Sequence, residues 1–149
     1  MGISLCLLES VSLNVIFIFH TLYMGTIMSH QKTFMLATAI NGLLAVAIGA
    51  FGAHGLQGIL DQAAAKTYQT GVEYHFFHTL ALFGVSQLTA SRFSRLAGWS
   101  FVIGILLFSF SLYLLVITGI KILGVITPFG GTLFLIGWGC LVMHALKQE

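Results

Sequence analysis

The sequence predicts an all-α, polytopic membrane protein, a bundle of four transmembrane helices. Composition is the first observation, because 58% of the 149 residues are hydrophobic and only 7% are charged, whereas a soluble domain has about 25% charged residues. Mean hydropathy is the second, at +1.00. The third is a series of apolar runs close to the ~20 residues that a helix needs to cross a bilayer. Apolar side chains are therefore expected to face lipid.

Residues 34–53 form the first predicted span, in which Asn41 is the one strongly polar residue. Small residues recur near helical spacing, at Gly42, Ala45, Gly49 and Ala53. This small-xxx-small pattern lets two helix backbones approach closely, so we expect the first span to pack tightly against the second. His54 marks the end of the span, and Gly55 suits a C-terminal cap.

Three further spans are predicted at residues 72–89, 97–119 and 123–146. The polar connection before residue 72 includes residues 61–66, which are expected to form a short interfacial helix with Asp61 in its first turn. Pro128, the single proline, is expected in the first turn of the fourth span, where its missing N–H is tolerated. These four spans make up one transmembrane domain, residues 34–147.

Several polar residues within or beside the predicted spans are candidates for hydrogen bonds between helices rather than for chemistry. They are Asn41, Gln87, Ser109, Ser111 and Thr118. His144, near the end of the last span, is expected to reach the headgroups or to interact with the helix C-terminal dipole.

The N-terminal extension, residues 1–33, has two interpretations. Val11 to Met28 is apolar enough for an extra helix, although Asn14 and His20 interrupt it. Alternatively, an upstream start codon adds residues 1–27, and Met28 is the working start. We favour the second interpretation, because a polar Ser-His-Gln-Lys segment follows Met28 and leads into a cleaner apolar run.

Lysine and arginine are spread unevenly over the two sides that four spans define. One side has Lys32, Arg92, Arg95 and Lys147, and the other has Lys66 and Lys121. By the positive-inside rule, both ends of the four-span core are expected in the cytoplasm. The cations form no basic patch, so nucleic acid is not an expected partner.

The most polar stretch of the membrane region, residues 68–82, includes Glu73, His75 and His78. Ionisable groups inside a membrane are unfavourable and suggest a function. In one interpretation Glu73 lies at the membrane boundary and gains from the helix N-terminal dipole. In another it is the protonatable carboxyl of a proton-coupled carrier, since burial would favour its neutral form.

His75 and His78 are three residues apart and so share one helix face. They are candidates for a metal site that His54 and Glu73 would complete, and His54 with His78 are candidates for haem ligation. We favour a structural role instead, in which these imidazoles bond to neighbouring helices or face headgroups. No catalytic residue, metal site or cofactor is assigned, and without a phosphate loop or nucleophile elbow we expect no enzyme.

Four motifs follow one another along the chain, at residues 49–55 (GAFGAHG), 68–82 (YQTGVEYHFFHTLAL), 107–113 (LFSFSLY) and 127–131 (TPFGG). With these motifs in register, the chain resembles the YgdD-like family of small inner-membrane proteins, of the UPF0382 type. The resemblance implies a multi-pass, four-helix protein of the bacterial inner (plasma) membrane, in a family without an established activity. Residues 1–27 precede the usual start of that family.

The expected function is therefore that of an integral membrane protein with a structural or accessory role. Its expected partners are the lipid bilayer and either a second copy or another membrane protein. A small proton-coupled transporter that uses Glu73 is the first alternative, and a metal- or haem-binding redox component is the second. His54, Glu73, His75 and His78 are the candidate functional residues.

Overall fold

Four helices follow one another in the computed structural model, which describes Gly25 and residues 29–147. They are α1 (Ser29–Gly55), α2 (Gln62–Gln87), α3 (Arg92–Thr118) and α4 (Leu123–Leu146). The last turn of α1, Phe51–Gly55, is a π-helix. No strand occurs among the described residues, so the predicted all-α class is confirmed. Of residues 1–27, to which both interpretations of the N-terminal extension apply, all except Gly25 lie outside the described part of the chain.

Three of the described helices, α1, α3 and α4, are long and apolar enough to cross a membrane. Helix α2 is less apolar, because it contains Glu73, His75 and His78. Phe34 near the start of α1 contacts the position of Gly98 near the start of α3, so these two helices begin on the same side. The intervening α2 therefore returns the chain across the bundle. A membrane helix bundle, as predicted, is confirmed.

Helix α2 begins well before the predicted span at residue 72. The Asp61 carboxylate accepts a hydrogen bond from the Ala64 backbone N–H at 2.7 Å and so caps the helix. No break separates this cap from the membrane segment, because three alanines follow and alanine has the best helix propensity. The expected separate helix over residues 61–66 is therefore wrong, since these residues are the cap and first turn of α2.

The ends of α3 are also set by local chemistry. Ser91 and Ser94 form a capping box, in which each side chain accepts a hydrogen bond from the backbone N–H of the other. At the other end Gly119 adopts φ 70°, the left-handed conformation that glycine favours, and its N–H donates to Leu115 O at 2.9 Å. Pro128 lies inside α4, in its second turn and not in the expected first turn.

Helices pack closely at glycine residues, which have no side chain. At Gly130 of α4, an added Cβ would overlap the backbone nitrogen of Phe108 and lie 2.8 Å from its Cβ. Between α1 and α2, a Cβ at Gly49 would lie 3.3 Å from the Val72 side chain, and Ala45 is fully buried. The expected tight packing of the first span on the second is confirmed, although Ala53 is exposed.

The apolar core lies towards the end of the bundle where α1 and α3 begin. It consists of Phe34, Leu82, Val85, Ala97, Phe101, Ile105 and Phe134. Most other large apolar side chains are exposed, among them Leu43, Phe77 and Leu135. An apolar surface of this kind suits lipid, since acyl chains are as apolar as leucine.

Candidate functional site

His75 of α2 is the largest polar side chain that is fully buried among the described residues. Its Nδ1 lies 3.3 Å from the Tyr113 hydroxyl of α3, and its Nε2 lies 3.3 Å from Asn41 Oδ1 of α1. Asn41 donates its amide N–H to Ala37 O at 2.8 Å, so its Oδ1 is the acceptor. A neutral imidazole then donates through Nε2 and accepts the Tyr113 proton at Nδ1. The resulting chain of hydrogen bonds links three helices.

A second tyrosine lies beside this chain. The Tyr68 ring is 5.1 Å from the Tyr113 ring, and the Tyr68 hydroxyl donates to Ile48 O of α1 at 2.9 Å. Buried tyrosines need such partners for their hydroxyl groups. On the outer side of the two tyrosines, an apolar groove of about 290 Å³ runs between α1 and α3.

His78 links α2 to the remaining helix. Its Nδ1 donates to Tyr74 O at 2.8 Å, and its Nε2 accepts the Trp138 indole N–H of α4 at 3.4 Å. The imidazole also stacks on Phe134, with ring centroids 3.4 Å apart. Both ring nitrogens are therefore occupied in the neutral Nδ1–H form of the imidazole.

Glu73 and His54 lie away from these buried groups. Glu73 is exposed on the outer side of α2 and accepts a hydrogen bond from the Gln69 amide at 3.3 Å. His54 is exposed in the π-helical turn that ends α1. The residues brought together are thus His75 with Asn41 and Tyr113, and His78 with Trp138 and Phe134, while Glu73 and His54 join neither group.

This arrangement disfavours the metal and haem hypotheses. No three His, Cys, Asp or Glu side chains within the described part of the chain are placed to hold a metal ion. Gly52, two residues before His54, packs against Tyr68 of α2. His78 lies about 15 Å further along that helix, at about 1.5 Å per residue. Two ligands of one metal are at most about 4 Å apart, so His54 and His78 do not share an iron.

The other polar side chains gave mixed outcomes. Asn41 and Ser111 make the expected bonds between helices, the latter to the Thr127 hydroxyl at 2.8 Å. Gln87 and Thr118 bond within α2 and α3, so that expectation is wrong for them. His144 is buried and bonds to the Ser91 hydroxyl at 2.8 Å, so it does not reach the headgroups.

The sequence analysis missed Tyr113 and Trp138, the partners of the two histidines. A signal for Tyr113 was present, because a hydroxyl within an apolar span has to find a hydrogen-bond partner. Trp138 gave a weaker signal, since indole rings are also common at membrane interfaces.

Comparisons with known proteins place the chain in a family. The family described as "Protein of unknown function (DUF423)" matches residues 48–131, which include His54, Glu73, His75, His78 and Tyr113. No solved structure matches the chain.

Full-length relatives agree with that match. The UPF0382 membrane protein YwdK of Bacillus subtilis is 49% identical over 122 residues, which cover 78% of this chain and 98% of the relative. A UPF0382 membrane protein of Haemophilus influenzae is 46% identical over 121 residues, covering 80% of this chain and 98% of the relative. The UPF0382 membrane protein SAB0533 of Staphylococcus aureus is 46% identical over 119 residues, with 78% and 98% covered. The chain therefore belongs to the UPF0382 family of membrane proteins.

Proposed function

We propose that this membrane protein has a structural or accessory role and is not a transporter. In this role its buried polar groups fix the packing of the helices. The observation that supports this proposal most directly is the position of His75. It is fully buried, and the Tyr113 hydroxyl and the Asn41 carbonyl occupy its two nitrogens. Both nitrogens of this buried imidazole are thus satisfied by the chain itself.

Such a closed chain of hydrogen bonds favours one arrangement of α1, α2 and α3. In a bilayer, a bond between helices contributes about 0.6 kcal/mol on average and at most about 1.7 kcal/mol. Apolar contacts alone would let these helices rotate against one another at little cost in free energy, since lipid and leucine are equally apolar. His75 can bond to Asn41 and Tyr113 at the same time only when each of the three helices has one particular rotation about its axis. The hydrogen bond between His78 and Trp138 restricts the rotation of α4 likewise.

A proton-coupled carrier that acts through Glu73 has less support from the geometry. Glu73 is exposed, and its hydrogen bond to Gln69 stays on the outer side of α2. A proton bound there has no hydrogen-bonded route to His75 among the described contacts. The expectation that the protein is not an enzyme is kept as part of this proposal, because hydrogen bonds occupy both nitrogens of His75 and of His78. Neither imidazole is therefore a free base that could activate a nucleophile.

We also propose that the protein lies in the bacterial inner (plasma) membrane, with both ends of its four-helix core in the cytoplasm. The support is the distribution of exposed cations. Lys32 begins α1, Arg92 and Arg95 begin α3, and Lys147 follows α4, all at one end of the bundle. The opposite end has Lys66 and Lys121, so the cations are in excess on the side proposed to be cytoplasmic.

The test compares two tyrosine variants in detergent-purified protein. Tyr113→Phe keeps the ring that packs on Gly71 and removes the hydroxyl that donates a hydrogen bond to His75 Nδ1. It is expected to lower the free energy of unfolding by about 0.6–1.7 kcal/mol. Tyr74→Phe is the matched control on an exposed tyrosine and is expected to leave stability within about 0.5 kcal/mol of wild type.

Proton flux separates the structural role from the carrier. Proteoliposomes with the wild-type protein are expected to lose an imposed pH gradient no faster than protein-free vesicles. A faster loss that Glu73→Gln abolishes would overturn the structural proposal, as would a Tyr113→Phe protein that is as stable as wild type.

A further inference from the structure

Helix α2 has an exposed stripe on the side away from the bundle. We call it the α2 outer stripe; it comprises Lys66, Gln69, Glu73, Phe76, Leu80, Phe83 and Gln87, which are all exposed. Successive members are three or four residues apart, so they lie on one face of the helix. The buried residues of α2, such as Val72, His75 and Leu82, lie on the other face.

Glu73 of this stripe lies alongside α3, one of the membrane-spanning candidates, and not beyond its end. Gly71, two residues nearer the helix start, packs against Tyr113 and Leu112 of α3. From Leu112, α3 continues to Thr118, a distance of about 9 Å along its axis. In the other direction α2 extends about 21 Å beyond Glu73, to Gln87. A bilayer that covers α3 as far as Thr118 would place acyl chains against this carboxyl, and acyl chains offer it no hydrogen bond.

The described contacts leave this carboxyl only partly satisfied. Its one hydrogen bond among the described residues comes from the Gln69 amide at 3.3 Å. The amide has a second N–H and a carbonyl oxygen, and the carboxyl has a second oxygen. Each chain therefore presents a hydrogen-bond donor and an acceptor one helical turn apart on a surface that lipid cannot satisfy.

This pair of groups is complementary to itself. In a twofold contact the same surface meets its own copy, so residue i contacts j while j contacts i. An amide and a carboxyl one turn apart meet that condition, because Gln69 of each copy can donate to Glu73 of the other. A surface with only donors or only acceptors would require a different partner.

We propose that the α2 outer stripe is the contact surface between two copies of this chain in the membrane. The two α2 helices run parallel about a twofold axis along the membrane normal, with reciprocal Gln69–Glu73 hydrogen bonds. Phe76, Leu80 and Phe83 pack on their counterparts on the same seam. Alternating spacings of three and four residues suit two helices that cross at a shallow angle. This proposal does not depend on the interior hydrogen bonds of His75.

Disulfide cross-linking in native membranes tests the contact. Cys6 and Cys140 are first replaced by serine and alanine, and single cysteines are then introduced as Leu80→Cys or Phe83→Cys. The controls are Leu43→Cys on α1 and Leu135→Cys on α4, at positions that are at least as exposed. After mild oxidation, the two stripe variants are expected to give a disulfide-linked dimer and the two controls to stay monomeric.

The mass of the detergent complex tests the role of Glu73. The wild-type protein is expected to form a dimer of the 16.1 kDa chain, and Glu73→Leu is expected to lose that dimer. An unfolding temperature no lower than that of the wild-type protein would show that Glu73→Leu still folds. Glu73→Gln keeps hydrogen-bonding groups at the position and is expected to retain the dimer.

Three results would overturn the proposal. In the first, the stripe cysteines cross-link no better than the controls. In the second, they cross-link to a different membrane protein. In the third, the wild-type chain is a monomer, the state expected if its own first residues cover the stripe.

Discussion

The imidazole ring of His78 lies flat against the phenyl ring of Phe134, with centroids 3.4 Å apart and planes inclined by 9°. These residues belong to α2 and α4, which are not consecutive in the chain. The Trp138 N–H on the same helix as Phe134 holds the edge of the imidazole, at 3.4 Å from Nε2. One side chain of α2 is thus held by α4 on its face and on its edge.

Trp138→Phe tests the edge contact. The substitution keeps an aromatic ring against Phe101 but removes the donor to His78, so the free energy of unfolding is expected to fall by about 0.6–1.7 kcal/mol. Unfolding of the detergent-purified protein, followed by circular dichroism, measures the change. Trp99→Phe is the control, because Trp99 is 53% exposed. Equal losses in the two variants would contradict a specific role for the Trp138–His78 bond.

The spacing of His75 and His78 predicted a shared helix face, and both residues are indeed buried on one side of α2. Spacing could not identify their partners, because Tyr113 and Trp138 come from different helices. Which helices surround α2 depends on packing over the whole bundle. A pattern within one helix therefore predicts a face but not the groups that it meets.

Hydropathy likewise predicted the apolar part of α2 but not its first residue. Hydropathy changes where a helix leaves the bilayer, because polar side chains are favoured outside it. The helical backbone continues past that boundary, so the change in hydropathy does not mark the end of the helix. The helix begins where the Asp61 carboxylate caps it. In the sequence alone, Asp61 and the alanines after it fit a separate short helix equally well. Glu73 lies two residues from His75, on the other side of α2, so one stretch of sequence contributes to two distinct surfaces.

Gly130→Ala is expected to weaken the contact between α3 and α4. The new methyl group would overlap the backbone of Phe108, and backbone can move away only if the two helices separate. Overpacking of this kind destabilises by about 1–3 kcal/mol. Thermal unfolding in detergent gives the value.

Gly139→Ala is the matched control on α4, because nothing lies within 4 Å of the position where its Cβ would be. Alanine favours a helix over glycine by about 1 kcal/mol, so this variant is expected to be at least as stable as wild type. If Gly130→Ala were equally stable, the close approach of α3 and α4 at Phe108 would be contradicted.

Two serines that are two residues apart in α3 are expected to respond in opposite directions to substitution by alanine. The Ser109 hydroxyl is fully buried and has no hydrogen-bond partner among the described residues. Burying a polar group without a partner is unfavourable by about 1–3 kcal/mol, so Ser109→Ala is expected to raise the free energy of unfolding. Ser111 instead bonds to the Thr127 hydroxyl at 2.8 Å, and Ser111→Ala is expected to lower it by about 0.6 kcal/mol.

Chemical denaturation of the two variants, side by side in the same detergent, measures the difference. Both substitutions remove one oxygen from the same helix, so changes in helix propensity largely cancel in the comparison. What remains is whether the lost hydroxyl had a partner. A loss of stability in Ser109→Ala as large as that in Ser111→Ala would show that the Ser109 hydroxyl is satisfied in the folded protein.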